Sequence, residues 1–308
     1  MAGPGAGAIA PPMHRPRLHR LMSRALPYLF IAPTLLTLGF LVLSPILQVV
    51  YISLWNNYLT IKNPAFVGLG NYRWLLGQDL FSLIFSNTVI FTGASVGLHL
   101  VLGLGLAMLL SAKINARAKG LFRGLLILPW MFTAAVVAVN WRLILNPFGI
   151  FNALLTQFGL MDLAAPINWL GELRLALPAL ILINLWRGYP FVMLMLLAAL
   201  QGIPPELYEA AAVDGAGGWG RFRYVTIPCI KPVIASVGLL DAIWNFRLFD
   251  LVFLTTGGGP LNSTHVLATY TYRLAFESFE FGKASALAVI MLLCTMVLSF
   301  FYFRYQKI

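Results

Sequence analysis

The chain has 308 residues, of which 60% are hydrophobic and 10% are charged, and its mean hydropathy is +0.84. Because soluble domains carry about 25% charged residues, this composition excludes an ordinary soluble protein. The net charge of +11 suggests nucleic acid as a partner, but the chain has no soluble module in which basic and aromatic residues are interleaved. We therefore expect no nucleic-acid partner.

Residues 1–26 are rich in Gly, Pro and Arg and predict a disordered basic tail. The apolar run that follows resembles a signal peptide, but it is too long for the hydrophobic region of one and has no evident small-residue cleavage site. We therefore interpret it as the first membrane helix and expect residues 27–308 to form one transmembrane domain.

Six apolar segments follow one another, each near or beyond the roughly 20 residues that cross a bilayer as a helix. They cover about residues 27–55, 83–111, 120–144, 174–200, 228–256 and 282–303. The alternating ten-residue strands of a membrane β-barrel are absent from the sequence. The predicted fold class is an all-α polytopic membrane protein with six transmembrane helices.

Small and sulfur-containing residues within these segments predict helix contacts. Gly93 and Gly97 form a G-x-x-x-G pattern in the second segment, which favours close helix packing. Cys229 and Cys294 lie in the fifth and sixth segments, and we expect them to be packing residues that form no disulfide.

The basic residues predict the orientation in the membrane. With the N-terminus inside, 13 of the 21 Lys and Arg residues lie on the cytoplasmic side. They are Arg15, Arg17, Arg20, Arg24, Lys113, Arg117, Lys119, Arg123, Arg221, Arg223, Lys231, Arg304 and Lys307. This asymmetry follows the positive-inside rule, so we expect both termini to be cytoplasmic.

The loop between the fourth and fifth segments, about residues 203–224, is polar and rich in Ala and Gly. It begins with Pro204 and Pro205, continues with helix formers and breaks at Gly215, which predicts a short helix outside the lipid. Such a helix on the cytoplasmic face of a membrane protein is most simply a docking surface for a soluble partner. The alternative is a plain linker, which seldom needs this many helix and turn residues.

Two nucleotide-binding patterns overlap in this loop. Gly215, Gly217 and Gly220 form a G-x-G-x-x-G, and residues 215–222 mimic a Walker A motif except that they end in Gly-Arg-Phe. The flanks are a short polar helix and a membrane segment, not the strand and helix that phosphate binding requires. We interpret the three glycines as flexible turns and predict no ATP, cofactor or metal on this chain.

Ionisable residues in the membrane segments are functional candidates because they are costly there. Arg187 lies in the fourth segment, and Asp241, Arg247 and Asp250 lie in the fifth. If the fifth helix starts near Pro232, Asp241 lies about 14 Å along it, near the midplane of a hydrocarbon core about 30 Å thick.

A polar stripe is predicted around Asp241. Asn245 and Phe249 follow it at spacings of four and Trp244 at a spacing of three, which predicts one helical face. A carboxylate, an amide and two aromatic rings suit a sugar, whose hydroxyls need hydrogen-bond partners and whose C–H patches pack on aromatic faces. In the alternative interpretation, Trp244 only packs, and Arg247 and Asp250 neutralise each other at i and i+3. The substrate-pathway candidates are Asp241, Trp244, Asn245, Phe249 and Asp250.

The cytoplasmic loop also carries a spaced motif. Glu209-Ala210-Ala211 is followed by three residues, Gly215, nine residues and Val225-Thr226-Ile227-Pro228. This resembles EAA-x3-G-x9-I-x-L-P, the signature of bacterial ABC importer permeases, with Val225 and Ile227 as conservative departures. Residues 203–208 and Asp214-Gly215-Ala216 resemble the sugar-uptake branch, of the maltose-transporter type. Further matches are residues 66–72, Leu128-Pro129, residues 146–152, Asn168-Trp169-Leu170, Phe249-Asp250 and residues 254–260.

The resemblance implies a permease subunit of the bacterial inner membrane that performs no catalysis itself. Its partners would be a second, homologous permease, two copies of an ABC ATPase that bind ATP and Mg²⁺, and an extracytoplasmic binding protein that delivers a sugar. In the family, this loop inserts into a groove on the ATPase. The expected docking residues are therefore Glu206, Glu209, Ala210, Ala211, Asp214, Gly215 and Ala216.

Three other functions are weighed against a sugar importer. Glycerol-3-phosphate permeases carry closely similar motifs; Arg187 and Arg247 keep that option open, whereas Asp241 opposes an anionic cargo. An ion-coupled secondary transporter would show inverted repeats and paired broken helices, and no convincing repeat is seen. A membrane enzyme would need a catalytic cluster, but His14, His19, His99 and His265 are scattered along the chain.

Overall fold

A computed structural model describes residues 28, 30–56, 63–112, 115–162 and 164–306. The basic tail predicted over residues 1–26 lies outside the described residues. The chain divides into two units, Met1–Tyr51 and Ile52–Ile308.

The described residues are almost entirely helical. The helices are α1 (Phe30–Ile52), α2 (Gly70–Leu76), α3 (Asp79–Ser111), α4 (Ala116–Met131), α5 (Ala134–Ile144), α6 (Ile150–Gln157), α7 (Ala176–Gln201), α8 (Pro205–Val213), α9 (Gly218–Phe246), α10 (Asp250–Thr256), α11 (Leu267–Tyr272) and α12 (Phe281–Gln306). Three π-helical turns interrupt or extend them, at Gly39–Leu43 in α1, Phe222–Thr226 in α9 and Arg273–Glu277 after α11.

Helix α1 is apolar on every side. None of the side chains described in it is buried within the chain, and a helix that is hydrophobic all round suits contact with lipid or with other membrane helices.

The membrane-spanning character predicted from composition is confirmed. Helices α1, α3, α7, α9 and α12 are each long and apolar enough to cross a bilayer, and α4 with α5 pass the same test as a bent pair. Together they give the six predicted segments.

Two of the six segments are not single helices. The axes of α4 and α5 differ by 96° across Phe132 and Thr133, where Thr133 caps α5 and accepts from Val136 N. The fifth segment stops at Phe246 and resumes as α10 at Asp250. Because hydropathy does not report backbone direction, the apolar runs at 120–144 and 228–256 concealed both breaks. The second halves, α5 and α10, pack against each other.

In the unit Ile52–Ile308, α7 lies at the centre, packed along α3 and against α4 and α9, and α12 packs against α9. The close approach of α3 and α7 occurs at Gly103, where a β-carbon would lie 2.9 Å from Val192 Cγ1. Gly93 and Gly97 have no neighbouring atom within 4 Å of such a carbon, so the predicted close packing at this G-x-x-x-G is not made within the described part of the chain. The buried face of α3 includes Ser95, His99 and Gly103 at spacings of four, and Gly93 and Gly97 lie off that face.

Candidate functional site

A buried polar cluster joins three membrane helices. Helix α3 contributes Ser95 and His99, α7 contributes Asn184, and α9 contributes Asp241 and Asn245; all five side chains are buried. Each unpaired polar group would cost about 1–3 kcal/mol at such depth, which makes their hydrogen-bond partners decisive.

His99 uses both ring nitrogens. Its Nδ1 lies 2.7 Å from Asp241 Oδ2 and its Nε2 lies 3.0 Å from the backbone oxygen of Asn184. The ring fills the space left by Gly188, where a β-carbon would lie 2.4 Å from the imidazole. A glycine on α7 therefore lets a histidine from α3 reach an aspartate on α9.

The two asparagines complete the cluster. Asn245 Nδ2 donates to the backbone oxygen and to Oδ1 of Asp241, both at 2.8 Å. Asn184 Nδ2 donates to Asn245 Oδ1 at 2.6 Å and to Ser95 Oγ at 3.0 Å. Both carboxylate oxygens of Asp241 are thus satisfied from within the chain.

A cavity of about 190 Å³ lies against this cluster. Its lining residues are His99, Trp130, Asn184, Arg187, Gly188, Asp241, Trp244, Asn245 and Leu248. Trp244 is 40% exposed and contacts Phe191 at a ring-centroid distance of 4.8 Å, and Phe191 contacts Trp130 at 6.0 Å. The cavity therefore combines a polar wall with an aromatic wall.

The helix breaks border cavities. Leu248, in the α9–α10 break, lines the cavity just described. Phe132, in the α4–α5 break, lines a second cavity of about 330 Å³ together with Trp141 and Trp186. Non-helical backbone at membrane depth is tolerated where it is buried in protein or lines a cavity, so the breaks are consistent with an internal pathway.

The ion pair of the alternative interpretation, between Arg247 and Asp250, does not form. Asp250 Oδ2 lies 3.6 Å from Nη2 of Arg187 on α7, whereas Arg247 is exposed in the break. The sequence spacing of i and i+3 assumed a continuous helix, and the helix ends at Phe246.

Phe249 is likewise not on the predicted face. It lies beyond the end of α9 and stacks on Phe253 at 4.9 Å and against Tyr272 at 5.3 Å. The structure brings together Asp241, Trp244 and Asn245 at the first cavity and leaves Phe249 outside its lining.

His99 is the site residue that the sequence analysis missed, because it treated the histidines as scattered. A signal was present in the sequence. Three of the apolar segments each carry two residues four positions apart that are polar or, at Gly188, glycine. These pairs are Ser95 and His99, Asn184 and Gly188, and Asp241 and Asn245. A spacing of four places each pair on one helical face, but which faces meet depends on how the helices pack.

In the loop between the fourth and fifth segments, a helix forms where it is predicted. Pro205 occupies the first position of α8, and Gly215 follows the helix with φ of +78°. Ala216 N donates to Ala211 O at 2.8 Å and Gly215 N donates to Ala212 O at 3.1 Å, the hydrogen-bond pair of a Schellman ending.

Within α8, Glu206 is the acidic residue of the first turn and Glu209 lies in the middle of the helix. One detail of this loop differs from expectation. Gly220 is helical, because α9 begins at Gly218. This start lies well before Pro232, near which the fifth helix was assumed to begin. The three glycines are therefore not one flexible turn. Cys229, expected to pack, is exposed, and Cys294 is half-buried.

Side chains fasten α8 to the start of α9. Tyr208 Oη lies 3.0 Å from Thr226 Oγ1, and Arg221 Nε donates to Ala216 O at 2.9 Å. Val213 is 89% exposed and Trp219 and Leu207 are also exposed. The loop is thus a braced structure with apolar side chains facing outward.

Three of the segments that carry the family resemblance, at 146–152, 168–170 and 254–260, line a third cavity of about 390 Å³. Its lining includes Asn146, Asn168 and Thr255, one from each matched segment. This cavity lies at the end of α7 opposite to α8, since residues 168–171 precede α7 and α8 follows it.

Comparison with known proteins supports the resemblance. The family model described as "Binding-protein-dependent transport system inner membrane component" matches residues 100–308. The trehalose/maltose transport system permease protein MalF of Thermococcus litoralis is 34% identical over 276 residues, covering 89% of this chain and 90% of that protein. The lactose transport system permease protein LacF of Rhizobium radiobacter is 34% identical, covering 90% of this chain and 92% of that protein.

Among solved structures, a bacterial ABC transporter involved in the import of the acidic polysaccharide alginate has the same fold. The TM-score is 0.79 at 23% identity, covering 95% of this chain and 99% of the matched chain. The fold, the family match and the relatives agree: the chain belongs to the binding-protein-dependent inner membrane components and is a multi-pass permease subunit of an ABC transporter.

Proposed function

We propose that this permease conducts a sugar through the cavity between α3, α7 and α9, and that it performs no catalysis itself. ATP and Mg²⁺ would be held by two copies of a partner ATPase, and a second permease would complete the pathway. An extracytoplasmic binding protein would deliver the sugar. Both chain termini would be cytoplasmic, in keeping with the basic residues of the inner loops.

The observation that carries this proposal is the continuity of α9. It runs from Gly218, next to the cytoplasmic loop, to Phe246, next to the cavity. From Gly218 to Asp241 the helix spans about 35 Å at 1.5 Å per residue. A displacement of the loop would therefore be transmitted to the cavity along one helix, which contains the π-helical turn Phe222–Thr226 but no non-helical residue.

The cavity chemistry supports a sugar. Trp130 and Trp244 expose aromatic surface, which packs on the C–H faces of sugar rings. Asn184 Oδ1 makes no hydrogen bond to the described part of the chain and lies at the cavity wall, so it is available to accept from a sugar hydroxyl. The relatives MalF and LacF are named for disaccharide transport.

The braced loop supports docking of an ATPase. Glu206, Glu209, Asp214 and the Ala and Gly residues between them belong to α8 and its ending, and they would form the contact with the exposed Val213. A helix whose start is set by Pro205 and whose end is set by a Schellman motif holds its direction under load. The hydrogen bond between Tyr208 and Thr226 holds the orientation of α8 relative to α9.

The test compares ATP-driven and ion-driven transport. The chain is expressed with its neighbouring transporter subunits and reconstituted into vesicles with or without ATP inside. We expect an ATPase to copurify with the permease and uptake to require ATP. Uptake of equal rate in ATP-free vesicles, or purification of an active transporter that contains no ATPase, would contradict the proposal and favour an ion-coupled transporter.

A further inference from the structure

The proton positions in the buried cluster follow from its acceptors. A backbone oxygen can only accept, so His99 Nε2, 3.0 Å from the oxygen of Asn184, carries a hydrogen. The contact of 2.7 Å between His99 Nδ1 and Asp241 Oδ2 then needs one more hydrogen, on either atom. With that single proton the pair has no net charge, whichever atom holds it.

The second oxygen of Asp241 is also occupied. Asn245 Nδ2 faces the backbone oxygen of Asp241, so this nitrogen is the donor, and it donates to Asp241 Oδ1 as well. Asp241 is 4% exposed and His99 is 1% exposed. Each carboxylate oxygen of Asp241 therefore already has a hydrogen-bond partner within the chain.

The other charge at the cavity wall is also balanced. Among the lining residues, the titratable ones are His99, Asp241 and Arg187. Arg187 pairs with Asp250 at 3.6 Å, and Arg247 is not part of the lining. An anion in this cavity would have to compete with Asp250 for Arg187, and a cation would have to compete with His99 for Asp241.

We propose that His99 and Asp241 form an electrically neutral clamp that joins α3, α7 and α9, and that the solute of this cavity is an uncharged polyhydroxylated molecule. His99 is thus a positioning residue: it occupies Asp241 and holds the cavity wall in place. The second part rests on the proposed function, since it assumes that the cavity carries the solute. The charge of the cargo is an open property of such transporters, because the matched solved transporter imports an acidic polysaccharide.

The clamp predicts an unusual tolerance at position 241. An asparagine there can donate through its nitrogen to Nδ1 of a neutral His99 and accept through its oxygen from Asn245 Nδ2. Asp241→Asn therefore preserves every hydrogen bond and the net charge of the pair. In contrast, Asp241→Ala leaves His99 Nδ1 without a partner and removes one of the two acceptors of Asn245 Nδ2, and His99→Ala leaves Asp241 Oδ2 without a partner.

The first experiment measures thermal unfolding of the full chain purified in detergent, which requires no solute. We expect Asp241→Ala and His99→Ala each to lower the midpoint by about 5 °C or more, and Asp241→Asn to change it by less than about 2 °C. An Asp241→Asn midpoint as low as that of Asp241→Ala would overturn the neutral clamp, because the negative charge itself would then be required.

A double-mutant cycle tests the contact that positions His99. Gly188→Ala should lower the midpoint in the parent chain, because its methyl would overlap the imidazole. In the His99→Ala background the same change should cost nothing further. Gly93→Ala is the matched control, since Gly93 is helical with open space around it. Equal effects of Gly188→Ala in both backgrounds would show that His99 does not occupy the space beside Gly188.

The second experiment measures uptake in cells that contain the assembled transporter. The probes are labelled maltose and lactose as neutral solutes and labelled glucuronate and glycerol 3-phosphate as anions. We expect accumulation of a neutral disaccharide and of neither anion. Accumulation of an anion, or of neither disaccharide, would overturn the uncharged-solute inference. A stable Asp241→Asn chain that no longer takes up the neutral solute would place the carboxylate in contact with it.

These outcomes separate the two proposals. If the midpoints behave as expected but no probe depends on ATP for uptake, the clamp stands and the importer function fails. If uptake requires ATP but the unfolding midpoint of Asp241→Asn is as low as that of Asp241→Ala, the importer function is supported and the clamp is refuted.

Discussion

The loop around α8 and the cavity between α3, α7 and α9 are held together by different kinds of bond. The loop is a local structure: α8 is closed by backbone hydrogen bonds between residues close in sequence, and its apolar side chains face outward. The cavity wall depends on side chains from three helices, with His99 and Asp241 separated by 142 positions. Damage to the loop should therefore impair docking without unfolding the chain, whereas damage to the cavity wall should impair stability first.

The largest effect is expected at the centre of the cavity cluster. Asn245→Leu removes the donors to Asp241 and the acceptor for Asn184, so we expect a loss of about 3 kcal/mol in the free energy of unfolding. Denaturant unfolding of the purified chain would measure it. Asn140→Leu is the control, because exposed Asn140 bonds only to a carbonyl of its own helix. Equal losses in both variants would show that the cluster does not stabilise the helix packing.

A change in the loop should affect docking of the ATPase and leave the stability of the chain almost unchanged. Gly215 has φ of +78° with open space around it, so Gly215→Val acts through backbone strain of about 1 kcal/mol or more. Unfolding should change little, while the amount of ATPase retained by the permease and the rate of uptake should fall together.

Gly217→Val is the matched control for the loop. Gly217 also has open space but an ordinary φ of −68°, and we expect it to retain the ATPase. Full retention of ATPase and full uptake in Gly215→Val would show that the loop is only a linker.

Trp244 separates solute contact from packing within the cavity. It is 40% exposed, unlike its polar neighbours, so Trp244→Ala should spare most of the stability and weaken solute transport by about 0.5–1.5 kcal/mol, the range for an aromatic contact. Uptake at several solute concentrations would measure the change. Phe303→Ala, in α12, is the control for removal of an exposed aromatic side chain. Normal uptake in Trp244→Ala would limit this residue to packing.

The smallest effect concerns a buried histidine outside the cavity. Burial and the nearby Arg273 guanidinium lower the pKa of His265 to about 4, whereas an unfolded histidine titrates near 6.5. The unfolded state binds the proton first, so stability is complete above about pH 6.5 and falls as the pH drops towards 4, by about 0.8 kcal/mol at pH 6. His265→Gln should remove this part of the slope. An unchanged pH dependence in that variant would assign the slope to other groups.

Much of the loop was predictable because its determinants are local. Pro205 and Gly215 mark the ends of α8 by their own backbone preferences, and both predictions are confirmed in position. The role of the loop in docking an ATPase stays a prediction. Gly220 was wrongly placed in a turn, because a glycine is tolerated inside a helix that is held by other contacts.

The cavity was predictable only in part. Asp241, Trp244 and Asn245 do line one cavity, as their spacing on one helical face indicated. Phe249 and the Arg247–Asp250 pair were misplaced because the pattern assumed an unbroken fifth helix. His99 was overlooked because its partners lie on other helices, and their contact depends on the notch at Gly188.

The sequence by itself determined the membrane class, the approximate extents of the six segments, the short helix between the fourth and fifth segments, and the family. These properties depend on composition and on the spacing of neighbouring residues, which are written directly in the chain. Only the tertiary structure decided where the third and fifth segments break, that Gly103 provides the close contact between α3 and α7, and that Arg187 pairs with Asp250. It also decided the bond between His99 and Asp241. The physical reason is the same in each case: these contacts depend on which helix faces meet, and uniformly apolar helices carry little sequence information about their packing partners.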